Sequence, residues 1–509
     1  MGSLSSPRDL TKPFNPLDPT ELAVESSLVT DFIAEYYRTV EQRPVQPHVT
    51  PGFLTSQLPS AAPFASESVE SILQDVYDKI LPGLVQWQSP NFHAYYPATC
   101  SNAGLLGEML CSGLNVVGFT WSASPAAAEL EQVVVDWMGK MMGLPQSFLF
   151  SGGGGGVLQG STCEAVVCTL AAARDRALER VGDDMFNKLV VYCSDQTHFT
   201  LKKGSKLVGI RPANVKAIKT TKNNEYGLCP TDLRNLVASD VKAGFIPIYL
   251  CGTIGTTAFG AVDPIRELGK VAREFNMWFH VDAAYAGSAF ICPEFRHYMD
   301  GVELADSFST NPHKWLLSNM DCCVLWLKFP KRVIKSLAAE GVFLEGGSET
   351  MVDYKDWQIA LSRRFRAIKL WMVIKRYGLK NLISHIRSDV SMAKRFEELL
   401  LSDRRFEVVF PRKFSLVCFK LDVMKNVPEV VDEDDGELSH DSKLTRELMA
   451  SVNVTGKAFL TGVRLGRIFF IRCAIGSTLT EDRHIQDLWK LIQEKAHKIC
   501  ANHDLKFRV

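Results

Sequence analysis

The chain has 509 residues, more than one hydrophobic core usually supports, so two or three packed units are expected. Its 57 basic side chains balance its 57 acidic ones, and this zero net charge argues against nucleic acid or another polyanion as the main partner. Thirteen cysteines without a preceding secretory segment predict reduced thiols and a cytoplasmic location, and no apolar run reaches the ~18 residues of a membrane span.

The N-terminal segment, residues 1–100, is predicted to be mainly helical and to contribute to dimerisation. Its first 20 residues or so are rich in Ser, Pro and Asp and should lie loosely on the surface. A helix is predicted to start at Asp18-Pro19-Thr20-Glu21, because Asp followed by Pro is a common helix start. Apolar residues then follow at helical spacing, namely Leu22, Val29, Phe32 and Ile33.

A glycine-rich segment, Ser151 to Gly156, precedes an Ala-rich stretch from Ala165 to Leu178. Between them, Ser161-x-x-Glu164 fits a capping box and predicts a helix start, where free N–H groups and the helix dipole favour a phosphate. The Gly-Lys-Ser/Thr ending of a P-loop is absent, and no acidic residue is placed as in a dinucleotide-binding fold. By itself the segment indicates either phosphate binding or tight packing.

Short apolar runs alternate with helical stretches from about residue 100 to residue 330. Four runs are predicted strands: 189–193, 245–250, 278–281 and 323–327. This alternation predicts an α/β domain, expected to span residues 101–395, with a mostly parallel sheet and helices on both of its faces.

Two charged residues stand out within this domain. Asp282 ends a predicted strand and is either a helix cap or an anion at the ligand-binding edge of the sheet. Lys314 lies between His313 and Trp315, and a lysine there is costly to bury unless it is neutral or covalently engaged. A lysine that extends to the surface is the alternative.

The C-terminal part, residues 396–509, is predicted to be a smaller α+β domain. Its predicted strands cover residues 406–410, 414–421 and 467–473, and a helical tail follows Leu479. Two loops are predicted: a mobile one at 341–350, which lacks an apolar period, and an acidic, solvated one at 428–443.

A phosphate site, a carboxylate that can oppose a cationic ring nitrogen and a lysine that can bind an aldehyde together predict pyridoxal 5'-phosphate as the cofactor. The segments Asn311-Pro312-His313-Lys314-Trp315 and His280-Val281-Asp282-Ala283-Ala284-Tyr285-Ala286-Gly287 then carry a specific resemblance. From about residue 15 onward the chain resembles the plant aromatic-amino-acid decarboxylases, which belong to the group II pyridoxal-phosphate decarboxylases of fold type I. The resemblance implies an enzyme that needs no metal and works as a homodimer with shared active sites.

The resemblance also implies roles for individual residues around the cofactor. Lys314 would bind the cofactor covalently, and Asp282 would keep its ring nitrogen protonated. His198 would stack on the ring opposite Ala284, with Thr257 beside it. The phosphate would contact Ser161, Thr162, Cys163, Asn311 and His313.

For the substrate ring, the resemblance points to aromatic and small residues that could equally be core packing. They are Trp87, Phe92, His93, Tyr95 and Pro97 from one subunit, with Val117 and Phe119 from the other. Ser362 stands where the family tends to carry Gly for indolic substrates and Ser for phenyl or phenolic ones. Phenylalanine, tyrosine or dopa is therefore favoured over tryptophan, with phenylalanine expected first.

One expected residue is missing. The family carries a loop tyrosine shortly before the segment Val352 to Trp357, but here Phe343 stands in its place, and no tyrosine occurs between Tyr298 and Tyr354. A phenol would deliver a proton to the substrate α-carbon after loss of CO₂, leading to the amine. Phenylalanine cannot, so the carbon is expected to react with O₂ and give an aryl acetaldehyde, NH₃ and H₂O₂, as the resemblance to aromatic acetaldehyde synthases also implies.

Two alternatives are kept open. Another residue could replace the phenol as proton donor, and the protein would then be a plain aromatic-amino-acid decarboxylase that makes the arylalkylamine. A binding protein without activity on the same scaffold is the second alternative, which the presence of Lys314, Asp282 and His198 disfavours.

Overall fold

A computed structural model describes residues 14–338, 351–423 and 437–503. The N-terminal part contains helices α1 (Pro19–Thr39) and α2 (Val69–Asp75). The predicted start of α1 is confirmed, since the Asp18 side chain accepts hydrogen bonds from the N–H groups of Thr20 and Glu21. No residue of α1 is buried within the chain.

The large domain opens with helices α3 (Asn102–Leu114) and α4 (Pro125–Met142). Among the described residues its sheet contains seven strands: β1 (Gly155–Gln159), β2 (Leu189–Ser194), β3 (Val215–Ile218), β4 (Ile246–Thr253), β5 (Trp278–Asp282), β6 (Ser307–Thr310) and β7 (Cys323–Leu327). The intervening helices are α5 (Thr162–Val181), α6 (Thr200–Leu207), α7 (Pro230–Lys242), α8 (Ile265–Glu274), α9 (Pro312–Trp315) and α10 (Pro330–Leu337). All four predicted strands are present, with small shifts at their ends.

The strands lie in the order β1-β7-β6-β5-β4-β2-β3. Strand β7 is antiparallel to both of its neighbours, and the other strand pairs are parallel. Alternate residues enter two different cores: Val190 and Tyr192 pack on one face of the sheet, and Val191 and Cys193 pack on the other. The predicted α/β class with a mostly parallel sheet covered on both faces is confirmed.

The glycine-rich segment mainly serves packing. Gly155 and Gly156 belong to β1, and a Cβ atom at Gly156 would lie 2.5 Å from Cγ1 of Val135. A Cβ atom at Gly155 would lie 2.6 Å from the Phe150 ring. Of the two interpretations that the sequence allowed for this segment, the structure supports tight packing, and the start of α5 comes only after β1.

The C-terminal part contains α11 (Arg366–Ser402), β8 (Phe406–Val408), β9 (Leu416–Leu421), α12 (His440–Asn453), β10 (Thr461–Leu465), β11 (Ile468–Ala474) and α13 (Asp482–Asn502). Its antiparallel sheet has the order β10-β11-β9-β8. The sequence missed β10, a partly exposed strand that contains Gly462 and Arg464.

The prediction of one loop over residues 428–443 is wrong at its end, because Ser439 caps α12 and residues 440–443 form the first helical turn. Residues 424–436 lie outside the described part of the chain, as does the predicted mobile loop 341–350. The predicted boundary at residue 395 falls inside α11, and Phe92 of the N-terminal part pairs with Phe459 of the C-terminal part. The division into three segments therefore stays a prediction.

All thirteen cysteines are free thiols, as expected. Within residues 14–338, 351–423 and 437–503, no helix is both long enough and apolar enough to cross a membrane.

Candidate active site

The candidate site lies at the edge of the large sheet where parallel strands end. Strands β4, β5 and β6 end at Thr253, Asp282 and Thr310, and His198 follows the end of β2. Because the carboxyl ends of parallel strands meet at one edge, these residues converge. They border a cavity of about 160 Å³, lined by Tyr96, Ser161, Thr162, Cys163, His198, Thr200, Thr253, Gly255, Thr257, Asp282, Ala284, Tyr285, Asn311 and Lys314.

Lys314 lies in the short helix α9, where its N–H group donates to the carbonyl of Asn311. Its ammonium nitrogen lies 5.8 Å from the centre of the Tyr96 ring. Desolvation by the surrounding protein lowers the pKa of this amine, and the nearby Asp282 carboxylate opposes that effect. A lowered pKa increases the fraction of neutral amine, which is the nucleophilic form.

Asp282 is the last residue of β5 and is almost fully buried. One of its carboxylate oxygens accepts a hydrogen bond of 2.9 Å from the Ala284 N–H, which fixes the orientation of the side chain. Its charge is close enough to influence both Lys314 and His198. The structure therefore places the Asp282 carboxyl group in the cavity that Lys314 also lines, with one oxygen bound to the turn that follows β5.

The opposite end of the cavity is formed by the start of α5. The predicted capping box is wrong: the Ser161 side chain caps no amide, and Glu164 instead accepts a hydrogen bond of 2.9 Å from the Gly160 N–H. Within the described part of the chain, the Ser161 hydroxyl and the amides of Thr162 and Cys163 thus remain available to an anion, whereas the Glu164 N–H donates to the Ser161 carbonyl. Thr162 donates to the Asn311 side chain at 3.0 Å, which links two of the five predicted phosphate contacts.

These groups fit pyridoxal 5'-phosphate in their chemistry. One cavity holds a lysine amine with a lowered pKa, a buried carboxylate and a helix start with free donors. The hydroxyl oxygen of Thr253, which also lines the cavity, is buried and has no hydrogen-bond partner in the described part of the chain. A buried hydroxyl without a hydrogen-bond partner indicates that a polar ligand belongs in the cavity.

His313 is the exception among the predicted phosphate contacts. It is buried, its Nδ1 contacts the backbone of Cys322, and it does not line this cavity. Burial lowers the pKa of its imidazole to about 4, so the ring is neutral.

The predicted substrate residues near the N-terminal segment form an aromatic cluster outside this cavity. The Trp87 ring lies 4.5 Å from the Phe92 ring and 5.6 Å from the Tyr95 ring, measured between centroids. Phe92 and Pro97 are buried. His93 is fully buried as well, and burial lowers its pKa to about 4. Within a single chain these residues pack against the C-terminal part and do not border the Lys314 cavity.

Val117 and Ser362 border a second, open cavity of about 490 Å³ together with residues 363–366. Phe119 lies nearby in sequence, and its carbonyl accepts a hydrogen bond from the Lys355 N–H. The structure thus groups Val117 with Ser362 but separates both from Lys314. If Val117 reaches the site of another subunit, Ser362 must reach the same site. Phe343 lies outside the described residues.

The sequence missed five cavity residues: Tyr96, Thr200, Thr253, Gly255 and Tyr285. Tyr285 belongs to the family segment around Asp282, and Tyr96 directly follows a predicted contact, so proximity to a motif was an available signal. The rings of Tyr96 and Tyr285 stack at 3.8 Å. Thr253 and Thr200 gave no signal, because an isolated Thr at a strand or helix end usually serves the backbone.

A model of the pyridoxal-dependent decarboxylase conserved domain matches residues 51–422. The chain is 69% identical over 501 residues to 4-hydroxyphenylacetaldehyde synthase of Rhodiola rosea, covering 98% of this chain and all of the relative. The crystal structure of that Rhodiola rosea enzyme superimposes with a TM-score of 0.90 at 68% identity and covers 95% of this chain and 100% of that chain.

Two further relatives are similar over nearly the whole chain. Tyrosine/DOPA decarboxylase 2 of Papaver somniferum is 52% identical over 503 residues, covering 96% of this chain and 95% of the relative. Phenylacetaldehyde synthase of a Rosa hybrid cultivar is 51% identical over 511 residues, covering 99% of this chain and 100% of the relative. Aldehyde-forming and amine-forming enzymes are thus both similar to this chain.

Proposed function

The chain belongs to the pyridoxal-dependent decarboxylase family, and from this premise we propose that it is an aromatic acetaldehyde synthase. It converts an aromatic L-amino acid, O₂ and water to the aryl acetaldehyde, CO₂, NH₃ and H₂O₂. The observation that carries the proposal is Phe343, which stands at the loop position where the family has a proton-donating tyrosine. The 69% identity to 4-hydroxyphenylacetaldehyde synthase supports the same reaction.

The cavity residues have separate tasks in this reaction. When bound, pyridoxal phosphate accepts the electron pair that remains on the substrate after CO₂ leaves. Lys314 holds the cofactor covalently, and Asp282 keeps a proton on the nitrogen of its ring. Ser161, Thr162, Cys163 and Asn311 hold the phosphate at the start of α5. Phe343 has no hydroxyl from which to offer a proton, so the substrate carbon stays open to O₂.

The substrate is a phenyl or phenolic amino acid. Ser362 supports this, since its hydroxymethyl group narrows the ring pocket relative to glycine. The resemblance of the sequence motifs to those of phenylacetaldehyde synthases favours phenylalanine as the substrate. The 69% identical relative is a 4-hydroxyphenylacetaldehyde synthase, which favours tyrosine instead. Tyrosine is therefore the first substrate to test, with phenylalanine, dopa and tryptophan measured beside it.

The active unit is a homodimer whose sites are shared. The exposed apolar residues of α3, Leu106, Met109, Leu110 and Leu114, support an interface there, as does α1, which buries no residue within the chain. The separation of the Val117 and Ser362 cavity from Lys314 also fits sites that are completed by a second subunit.

The test is Phe343→Tyr, which restores one hydroxyl at the loop position. We expect product to change from aldehyde to amine while CO₂ release continues, because general acid catalysis contributes about 10²–10⁴-fold to a proton-transfer step. O₂ uptake and H₂O₂ should fall as amine rises. Phe329→Tyr adds the same hydroxyl to an exposed phenylalanine elsewhere and should leave the product ratio unchanged.

Two outcomes would contradict the proposal. If the wild-type enzyme makes mainly amine without O₂ uptake, it is a plain decarboxylase with another proton donor. If the wild-type enzyme makes aldehyde and Phe343→Tyr does not alter the ratio, the reaction stands but the role of Phe343 is wrong.

A further inference from the structure

The imidazole of His198 is held by the backbone and the side chain of Thr200. The Thr200 N–H donates to Nδ1 of His198 over 3.2 Å, and the Thr200 hydroxyl oxygen lies 2.6 Å from the same nitrogen. Thr200 is the first residue of α6, and no side chain of the N-cap residue, Phe199, caps this helix. The His198 ring therefore supplies the missing cap.

This geometry determines where the ring carries its proton. A backbone N–H can only donate, so Nδ1 must present its lone pair, and the ring proton must be on Nε2. A protonated Nδ1 would face the amide hydrogen, which disfavours the imidazolium. The Thr200 hydroxyl then donates to Nδ1 as well, and because Nδ1 has one lone pair, the closer hydroxyl and the amide share it in the neutral form.

The charges around His198 act in both directions. Lys314 on α9 and the start of α6 disfavour a positive ring, whereas Asp282 at the end of β5 favours it. The Cys163 thiol of α5 lines the same cavity. Partial desolvation by the surrounding protein and the nearby charge of Lys314 lower the pKa of His198 despite the carboxylate, although the side chain is exposed in a single chain.

We propose that Thr200 is a positioning residue that keeps His198 neutral, with its proton on Nε2, and thereby stops His198 from protonating the substrate carbon. An imidazole N–H is a far weaker acid than an imidazolium, so the neutral ring can bind and orient groups in the site without delivering a proton to them. This inference rests on the proposed aldehyde synthase activity. It adds that phenylalanine at position 343 leads to the aldehyde only because His198 is also kept from acting as an acid.

The test compares Thr200→Val, which keeps the shape and the amide but removes the hydroxyl, with Thr200→Ser, which keeps the hydroxyl. Exchange of the histidine C2 hydrogen, followed by peptide mass spectrometry on the cofactor-loaded enzyme and on the apoprotein, gives the titration midpoint of His198. One hydrogen bond contributes roughly 0.5–1.5 kcal/mol, so Thr200→Val should raise this midpoint by about half a unit to one unit. Exchange at His48, which is exposed, should be the same in all variants and serves as a control.

The product ratio is the second readout. In Thr200→Val the amine fraction should rise as pH falls from 8 to 6, and in Thr200→Ser it should remain as in the wild type. An unchanged His198 midpoint in Thr200→Val would overturn the inference, as would a raised midpoint with no gain of amine at low pH in an enzyme that makes aldehyde. A wild type that makes only amine would instead refute the proposed function. The exchange midpoints would then still decide whether Thr200 controls the protonation of His198.

Discussion

At the scale of single residues, the neighbour of Lys314 in the chain is fixed by a residue that is far away in sequence. Trp315 follows Lys314, and its indole N–H donates to the Asp389 carboxylate of α11 over 2.7 Å. Its ring also stacks on Tyr285 at 4.8 Å. Asp389 is 2% exposed, and burial raises the pKa of its carboxyl to about 8 although the Trp315 hydrogen bond acts against this.

Asp389 should therefore make stability depend on pH. Because its pKa is raised above the unfolded value of about 3.9, its stabilising contribution is complete below about pH 4 and is lost as pH rises through 8. Asp389→Asn keeps an acceptor for Trp315 but cannot ionise. Between pH 5 and 8 the midpoint of thermal unfolding should fall more in the wild type than in this variant. Equal slopes would contradict the prediction, and Asp487→Asn, at an exposed position, is the control.

Ser362 tests the proposed ring pocket at the same scale. Ser362→Gly removes a hydroxymethyl group from the cavity that it shares with Val117. The ratio of tryptophan turnover to tyrosine turnover should rise on the order of tenfold, since a small apolar volume is worth about 1–3 kcal/mol of discrimination. Steady-state kinetics with both amino acids measures this ratio. No change in it would show that Ser362 does not contact the substrate ring.

At the scale of elements, the placement of α5 depends on how closely β1 packs. Strand β1 is at the edge of the described sheet, pairs there with β7 and lies against α4, where Gly156 packs close to Val135. The residues after β1 lead directly to Ser161 and the proposed phosphate site. The glycine segment therefore contributes to the site indirectly, through the position of this strand.

Gly156→Ala should destabilise the protein. The added methyl group would lie 2.5 Å from Val135 and 3.0 Å from the Leu325 carbonyl, and overpacking of this kind typically costs about 1–3 kcal/mol. Ser402→Ala is the control, because this exposed residue ends α11 and alanine is the better helix former. Unfolding in denaturant measures both variants. A Gly156→Ala variant as stable as the wild type would contradict the packing role.

At the scale of the whole molecule, one chain leaves apolar surfaces uncovered and predicted site residues apart. Val117 is 45% exposed and Trp87 is 38% exposed, although both are expected to contact substrate. A homodimer would explain both observations, because a second subunit would bury such residues and bring Val117 to a neighbouring cofactor.

Shared sites can be tested by complementation. Lys314→Ala lacks the covalent attachment, and Val117→Arg should block the ring pocket, so each variant alone should be inactive. In a heterodimer, one site combines an intact Lys314 with the intact Val117 of the other chain. Co-expression should then restore about a quarter of wild-type activity, since half of the dimers are mixed and each of them has one intact site. No recovery in mixed dimers verified by sedimentation would place Val117 and Lys314 of the same chain in one site.

The sequence alone predicted the local elements and the main chemical groups. The start of α1, four strands of the large sheet and Asp282 at a strand end all follow from local patterns. Such features depend on periodicity and on residues close in sequence, which is why they can be recognised without a structure.

How these pieces meet follows from the packing of the folded chain. The structure assigned the glycine segment to packing, left the Ser161 hydroxyl free, removed His313 from the cavity and placed β10 in the small sheet. It also brought Thr200 to His198 and Asp389 to Trp315. These contacts depend on which residues, distant in sequence, pack within a few ångströms of each other. They also depend on which polar groups this packing leaves without a partner. That is a property of the folded chain as a whole, and no local run of residues encodes it.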